Sequence, residues 1–504
     1  MKIVTLNNLT KICRKKKLSG KKIVHCHGVF DLLHIGHIKH FLEAKSFGDL
    51  LIVTITPDEY VNKGPNRPAF NTTLRVEAIA ALQCVDYVAI NKWPDATKTI
   101  LEIKPNIYCK GPDYKESSKD LTGKIDEEDK AVNAIGGTLK FTNDITFSSS
   151  HLLNKFGYVY TDTQNKFVNK IKIKNNFDSI KQSIDKLKNL KVLVIGETII
   201  DQYVFCEVLG KSGKESVLVS RDLETQKYLG GVLAIARHLH SFCNNISVLS
   251  FIGEKKEEEK FIYKNIEKNI SINFLKKSNS STIIKRRFID SIDNKKMLGV
   301  YSINDNSLNK NEEKAFISKI DKMIKKYDLV IVSDYGHGII TGKVANHISK
   351  QKIYRSLNAQ INSTNIGSHN IKKYKNIDSL IINASELRHE MREREGKLHN
   401  LSKQLKKDIS AKLITVTQGR AGAFMVNQKN NLISCPSFNI DTIDKVGAGD
   451  ALLALLSACL CSKIDETVSL LIASLAAAQS VETIGNSVPV DKSRLLKTLF
   501  HLMK

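Results

Sequence analysis

Short apolar runs alternate with helix-period patterns through the first third of the chain. KIVHCHGVF and DLLIVTIT read as strands on either side of a helix, IGHIKHFLEAKSFG; LRVEAIAALQCV (helix), DYVAI (strand), ATKTILEIK (helix) and NIYCKG (strand) follow. Strands separated by helices predict a parallel α/β sheet. From Gly157 to Asn175 the rhythm gives way to polar and basic residues, which predicts a linker over 157–175 between a domain at 1–156 and another at 176–504. The spacing of Phe177, Ile180, Ile184 and Leu187 predicts a helix leading into KVLVIG, the first strand of a second α/β unit. Further strands are predicted at ISVLSFIG, DLVIVSDYG, SLIINAS and KLITVTQG, and the charge-rich stretch 254–269 reads as a solvated helix face.

Length agrees with this division, since 504 residues exceed what one core normally organises. The formal charge is +25, from 77 Lys and Arg against 52 Asp and Glu. The excess is mostly Lys spread along the whole chain beside abundant Asn and Ile, without the aromatic-interleaved basic stripe or Arg clusters that read bases. Small anionic substrates are therefore expected rather than nucleic acid. Nine scattered cysteines without a C-x-x-C pair indicate reduced thiols in a cytoplasmic protein, neither a disulfide framework nor a zinc site. The longest apolar run, Ala451 to Cys461, is too short to span a bilayer, and the N-terminus lacks an apolar signal core, so no membrane association is expected.

The chemistry concentrates in two motifs. The first, His27-Gly28-Val29-Phe30-Asp31-Leu32-Leu33-His34-Ile35-Gly36-His37, joins a strand to a helix start. Gly28 permits close backbone approach to a ligand, and Gly36 keeps the first helical turn clear. His34 and His37, three apart, can face one anion held at the helix N-terminus and stabilise charge on a phosphorus under attack.

This string resembles the G-x-F-D-x-x-H-x-G-H signature of the cytidylyltransferase-like nucleotidyltransferases. The likeness continues through Thr56-Pro57-Asp58 to Lys63 and Arg67, Arg75 before Val85-Asp86, Lys110-Gly111-Pro112-Asp113-Tyr114, and Ser148-Ser149-Ser150. It implies a Rossmann-like domain in which His34 and His37 contact the nucleotide phosphates and Lys63 grips them or the acceptor phosphate. Ser149 and Ser150 would close over the triphosphate, with Gly28, Phe30, Asp31, Gly36, Arg75, Lys110 and Asp113 completing the site. The acceptor's phosphate attacks the α-phosphorus of CTP or ATP, with Mg²⁺ screening the charge and no covalent enzyme intermediate.

The second motif is Asp444-Lys445-Val446-Gly447-Ala448-Gly449-Asp450, directly before the apolar run ALLALLSACL. A Gly-Ala-Gly turn opening a helix presents N–H groups to an anion, and Asp450 can act as general base on an acceptor hydroxyl. D-x-x-G-A-G-D resembles a signature of the ribokinase-like (PfkB) carbohydrate kinases. Other parts of that pattern occur in order: Gly196-Glu197-Thr198-Ile199-Ile200-Asp201, Gly230-Gly231, Ser333-Asp334-Tyr335-Gly336-His337-Gly338, Asn383-Ala384-Ser385-Glu386 and Thr417-Gln418-Gly419-Arg420-Ala421-Gly422.

The kinase resemblance implies an α/β sandwich with a small β lid, Asp450 as base and Gly447, Ala448 and Gly449 as anion hole. Asp201, Gly230 and Gly231 would hold the sugar. Asn383 and Glu386 would lie near phosphate and Mg²⁺, with Glu386 as the metal's carboxylate, and Thr417 and Gly419 near the nucleotide. The chain departs from the family at Val232-Leu233-Ala234-Ile235, where one sugar-hydroxyl contact is lost, and at Leu357–Gly367, which replaces the D-P-K-G of heptose kinases. Lys211 and Lys214 lie where the lid is expected; they read either as contacts to a phosphate on the substrate or as exposed lysines.

Together the halves resemble the bifunctional heptose 7-phosphate kinase/heptose 1-phosphate adenylyltransferase with the order reversed. That implies a sugar-activating enzyme serving surface-polysaccharide synthesis, with sugar or sugar phosphate and nucleoside triphosphates as partners and a homo-oligomer as the family habit. The alternative is an active nucleotidyltransferase carrying a sugar-binding kinase domain without turnover.

Overall fold

The computed structural model describes residues 2–61, 67–112, 124–143, 160–361, 365–367, 370–438 and 442–504. The chain divides into two compact units, one made of Met1–Asp162 with Leu496–Lys504 and the other of Thr163–Leu495.

The first unit is built on five strands, β1 (Ile23–Gly28), β2 (Leu50–Ile55), β3 (Tyr87–Ile90), β4 (Ile107–Lys110) and β5 (Thr138–Phe141). They form one parallel sheet in the order β3-β2-β1-β4-β5. Its central strands are apolar because both faces are covered, and Val24, Phe41, Val53, Val76 and Ile79 pack in one core. Each predicted strand and helix of this unit is present. Reading the N-terminus only for a signal sequence missed a helix at Leu6–Leu18, capped by Thr5, which buries Leu6, Leu9 and Cys13 along one face. The segment expected as a linker also holds a helix, Asp162–Lys172. Its polar composition hides a buried stripe of Phe167, Val168 and Ile171, and Gln164 donates to the Ser437 carbonyl at 2.6 Å.

The second unit contains β6 (Lys191–Gly196), β7 (Thr198–Lys211), β8 (Leu218–Gly231), β9 (Asn245–Gly253), β10 (Ile270–Lys277), β11 (Ile283–Asp290) and β12 (Lys296–Ser302). It continues with β13 (Leu329–Asp334), β14 (Tyr354–Ala359), β15 (Ser379–Asn383), β16 (Leu413–Thr417), β17 (Ala423–Val426) and β18 (Leu432–Cys435). The main sheet runs β10-β9-β6-β13-β14-β15-β16-β17-β18, with only the last two pairings antiparallel, so that β17 alone runs against the others. A four-stranded sheet, β12-β11-β7-β8, forms the lid.

The run Ala451–Cys461 lies in the helix Ala448–Cys461, which packs against the helices Val232–Leu239 and Glu466–Ser480. Being apolar on all sides, it is a core helix. Among the described residues no helix is long and apolar enough to cross a membrane. All nine cysteines are free.

Candidate active sites

In the first unit the site is assembled at the carboxyl end of β1. His34 has extended backbone and caps the helix Ile35–Ser46, its Nδ1 accepting from the Gly36 amide at 3.1 Å. An acceptor at Nδ1 leaves the ring proton on Nε2, a donor suited to phosphate oxygen. His37 stacks on His34 with centroids 3.9 Å apart, so the two imidazoles stand as a pair. Phe30, held at φ 47°, braces His37 edge-on at 5.4 Å and lies against Gly28, where an added Cβ would sit 3.0 Å from its ring.

Two residues expected at the phosphates use their charge elsewhere. The buried Asp31 carboxylate accepts from the Ala69 and Phe70 amides at 2.6 and 3.2 Å and pairs with Arg67 at 3.3 Å. Arg75, fully buried, donates to the carbonyls of Val29, Thr56 and Phe70 and to Asp58 and Thr72. Both are positioning residues that hold the loops around the motif. Arg75→Met, which strands several buried acceptors, is expected to destabilise this unit by about 3 kcal/mol. Urea unfolding followed at Trp93, the chain's single tryptophan and part of this unit, measures it.

Lys110 ends β4 and pairs with the buried Glu128 at 2.9 Å. Lys63, Asp113, Ser149 and Ser150 lie outside the described residues. The sequence reading quoted Thr56 only as part of a motif and overlooked Thr54. Thr54 Oγ1 lies 2.7 Å from His25 Nε2 and 2.9 Å from His27 Nδ1, and Thr56 Oγ1 lies 3.2 Å from His27 Nε2. Burial lowers the pKa of both imidazoles to about 3, so this ladder is neutral.

In the second unit the site residues gather at the carboxyl ends of the parallel strands, the usual place for ligands in open α/β sheets. Gly447 precedes the helix Ala448–Cys461 at φ +96°, and an added Cβ would come within 2.1 Å of Asn486 Oδ1. Glycine is thus required both by conformation and by space. The first helical amides have no acceptor within the helix, and beyond the helix's own nearby backbone and side chains of adjacent residues nothing lies within 4 Å of where a Cβ on Gly449 would stand. Asp450, in the first turn, accepts from the Tyr335 hydroxyl at 2.9 Å and lies 3.5 Å from Asn486 Nδ2. Burial, reinforced by the charge of Asp201, raises its pKa to about 6. A base with that value is ionised at neutral pH and still takes up a proton. The rate of ADP formation at low acceptor concentration is accordingly expected to fall about tenfold per unit below about pH 6, measured as kcat/KM against pH.

Asp201 on β7 is paired with Arg287 on β11. An added Cβ at Gly230 would lie 2.4 Å from Asp201 Oδ2, so the first glycine of the pair makes room for the carboxylate. Gly231, at φ 59°, carries the chain into the buried helix Val232–Leu239, whose opening residues Val232-Leu233-Ala234-Ile235 are core. Lys285 is opposite Asp201 in the β7–β11 register, its ammonium 5.1 Å over the Tyr335 ring. Burial lowers its pKa, opposed by the nearby Asp201.

Lys211 and Lys214, by contrast, are exposed at the turn between β7 and β8, and Lys211 is roughly 30 Å along the strand from Asp201. The cations near Asp201 are instead Lys285 and Arg287. Their signal in the sequence was the strand IIKRRFID, where alternate residues share a face.

Asn383 and Glu386 form a capping box on the helix Ala384–Met391, with the Glu386 amide donating to Asn383 and the Asn383 amide to Glu386 Oε2, each at 2.8 Å. Glu386 is buried and has no ion-pair partner among the described residues, and burial raises its pKa to about 7. A buried carboxylate without a counter-charge fits an incoming Mg²⁺ held mainly by nucleotide phosphates. Thr417 pairs with Asn383 across β15 and β16, and Gly419, at φ +58°, opens the next turn onto free space.

Glu197 was not singled out from the sequence. It is fully buried and accepts from the Tyr335 and His337 amides at 2.9 and 3.1 Å, fixing the loop that presents Tyr335 to Asp450. Burial, with Asp334 nearby, raises its pKa to about 7.

The sequence pattern described as "pfkB family carbohydrate kinase" matches residues 189–493, more than half of the chain. The chain belongs to the pfkB family of carbohydrate kinases. Ahead of the kinase part, residues 25–155 match the pattern described as "Cytidylyltransferase-like". The chain is 29% identical over 313 residues to "Bifunctional protein HldE" of Campylobacter jejuni, covering 61% of this chain and 65% of that one. It is 35% identical over 165 residues to the protein of the same name from Geobacter metallireducens, covering 32% of each. The chain thus spans less than two thirds of the length of the curated relatives it matches. The crystal structure of Phosphofructokinase-2 from Escherichia coli in complex with substrates and products shares the kinase fold, with TM-score 0.50, 14% identity, and coverage of 62% of this chain and all of that one.

Proposed function

We propose that the chain is a bifunctional sugar-activating enzyme. Its pfkB half phosphorylates a sugar phosphate with ATP, and its cytidylyltransferase-like half transfers a nucleotidyl group from CTP or ATP to a sugar phosphate with release of pyrophosphate. The observation that carries the kinase reading is Asp450, buried beside a glycine turn that opens a helix and bonded by Tyr335. In the kinase step Asp450 takes the proton of the acceptor hydroxyl as its oxygen attacks the γ-phosphorus. The bond to the leaving ADP oxygen breaks, while the amides at 448–450 receive the developing charge. In the transferase step an acceptor phosphate oxygen attacks the α-phosphorus, and His34 and His37 donate to the phosphates as pyrophosphate departs. Bound Mg²⁺ supplies charge neutralisation on the phosphates in both reactions.

Lys285 supports an acceptor that already carries a phosphate. It is a half-buried ammonium close to Asp201 and the Tyr335 ring, with no ion pair among the described residues, and an anion would offset its lost hydration. Heptose 7-phosphate is the acceptor that the motif resemblance favours, and nucleotide-sugar supply to surface polysaccharide is the corresponding role. We place the domains at 1–156 and 176–504, in a cytoplasmic homo-oligomer. Two screens test the reading: ADP release with free sugars against sugar 6- and 7-phosphates, and pyrophosphate release with four nucleoside triphosphates against sugar 1-phosphates. ADP formation only with free sugars would overturn the phosphorylated acceptor.

A further inference from the structure

We propose that Cys26, His40 and Cys109 form a zinc site in the first unit, separate from either phosphate-transfer centre. Cys26 on β1 and Cys109 on β4 are direct partners in the parallel register, so their side chains leave the same face of the sheet. The helix Ile35–Ser46 covers that face and brings His40 to them. One donor atom from each residue lies within 4.8 Å of the other two. Zn–S bonds of about 2.3 Å and Zn–N bonds of about 2.0 Å require the donors to close by no more than about 1 Å around an ion.

His40 Nδ1 lies 3.0 Å from Thr142 Oγ1, and Thr142 is fully buried. A second partner of this kind fixes the orientation of a ligating imidazole. The charges balance: two thiolates and a neutral imidazole cancel Zn²⁺, which a core lined by Val24, Phe41 and Val53 accepts far better than a bare ion. Binding forms two Zn–S bonds and one Zn–N bond and releases the two thiol protons to solvent, with no change of oxidation state. Sulfur donors also separate this site from Mg²⁺, which prefers oxygen. His40 is one turn beyond His37, so an ion here would tie the phosphate-binding helix to β1 and β4.

The test uses the full chain, reduced and freed of metal, then loaded with Zn²⁺ or Co²⁺. The wild type is expected to retain one zinc per chain through dialysis and to show an intense sulfur-to-cobalt charge-transfer band with Co²⁺. The paired variant Cys26→Ser/Cys109→Ser should lose both signals. His40→Gln, at a half-buried position where circular dichroism can verify the fold, should bind Zn²⁺ at least about tenfold more weakly in chelator competition, and Thr142→Val about tenfold more weakly. Absence of the cobalt band in the wild type would overturn the site. So would zinc retention unchanged in both His40→Gln and the double cysteine variant.

Discussion

Asp450→Asn is expected to lower ADP formation by about 10²–10⁴-fold, the usual contribution of a positioned general base, while pyrophosphate release stays near wild type. The amide keeps the shape of the carboxylate and its bond from Tyr335, so the anion hole opened by Gly447 is undisturbed. What it removes is the capacity to accept a proton. The loss should therefore appear in kcat, with KM for ATP little changed. Equal loss of both activities would contradict two independent sites.

The converse is expected of His37→Ala. Pyrophosphate release should fall by about 10²–10³-fold, the range for removing one donor to a developing oxyanion, while ADP formation persists. The ring of His37 lies between His34 at 3.9 Å and Phe30 at 5.4 Å, so the variant also removes a support of His34. His37→Gln, which retains a donor, should recover part of the rate. Unchanged pyrophosphate release in the alanine variant would refute the role given to the pair.

The alternating pattern was enough to place the parallel strands at the centre of both main sheets, because buried parallel strands read as apolar runs bounded by turns, whereas the lid strands β7, β8 and β11, polar over much of their length, were not placed. The two motifs were legible for a related reason: Gly28 and Gly447 occupy positions where a side chain would collide, and such positions leave a recognisable spacing. What stayed hidden depends on contacts distant in sequence. Asp31 and Arg75 look like phosphate ligands within a motif, yet their partners at Ala69, Phe70, Val29 and Thr56 turn them into braces. Lys285 and Arg287 became candidates only once β11 was seen beside β7, whereas Lys211 and Lys214 lay nearer to a motif in sequence but far along the strand. The helices Leu6–Leu18 and Asp162–Lys172 were missed because abundant lysine masks a narrow buried stripe.

The helix Ala448–Cys461 has a bearing on how such an enzyme changes over generations. From Asp450 to Leu460 every residue is buried, so nearly any substitution there opens a void or forces an overlap. Asp450, the base proposed for phosphoryl transfer, is thereby fixed to the part of the molecule least tolerant of drift. Asp201, Lys285 and Arg287 sit on strands of the lid sheet, whose outer parts expose Leu218, Leu223 and Leu298 among many polar neighbours and accept replacement at low cost, although Asp201 itself is buried. New acceptors can thus be recruited by altering the lid strands while the chemical step is inherited intact.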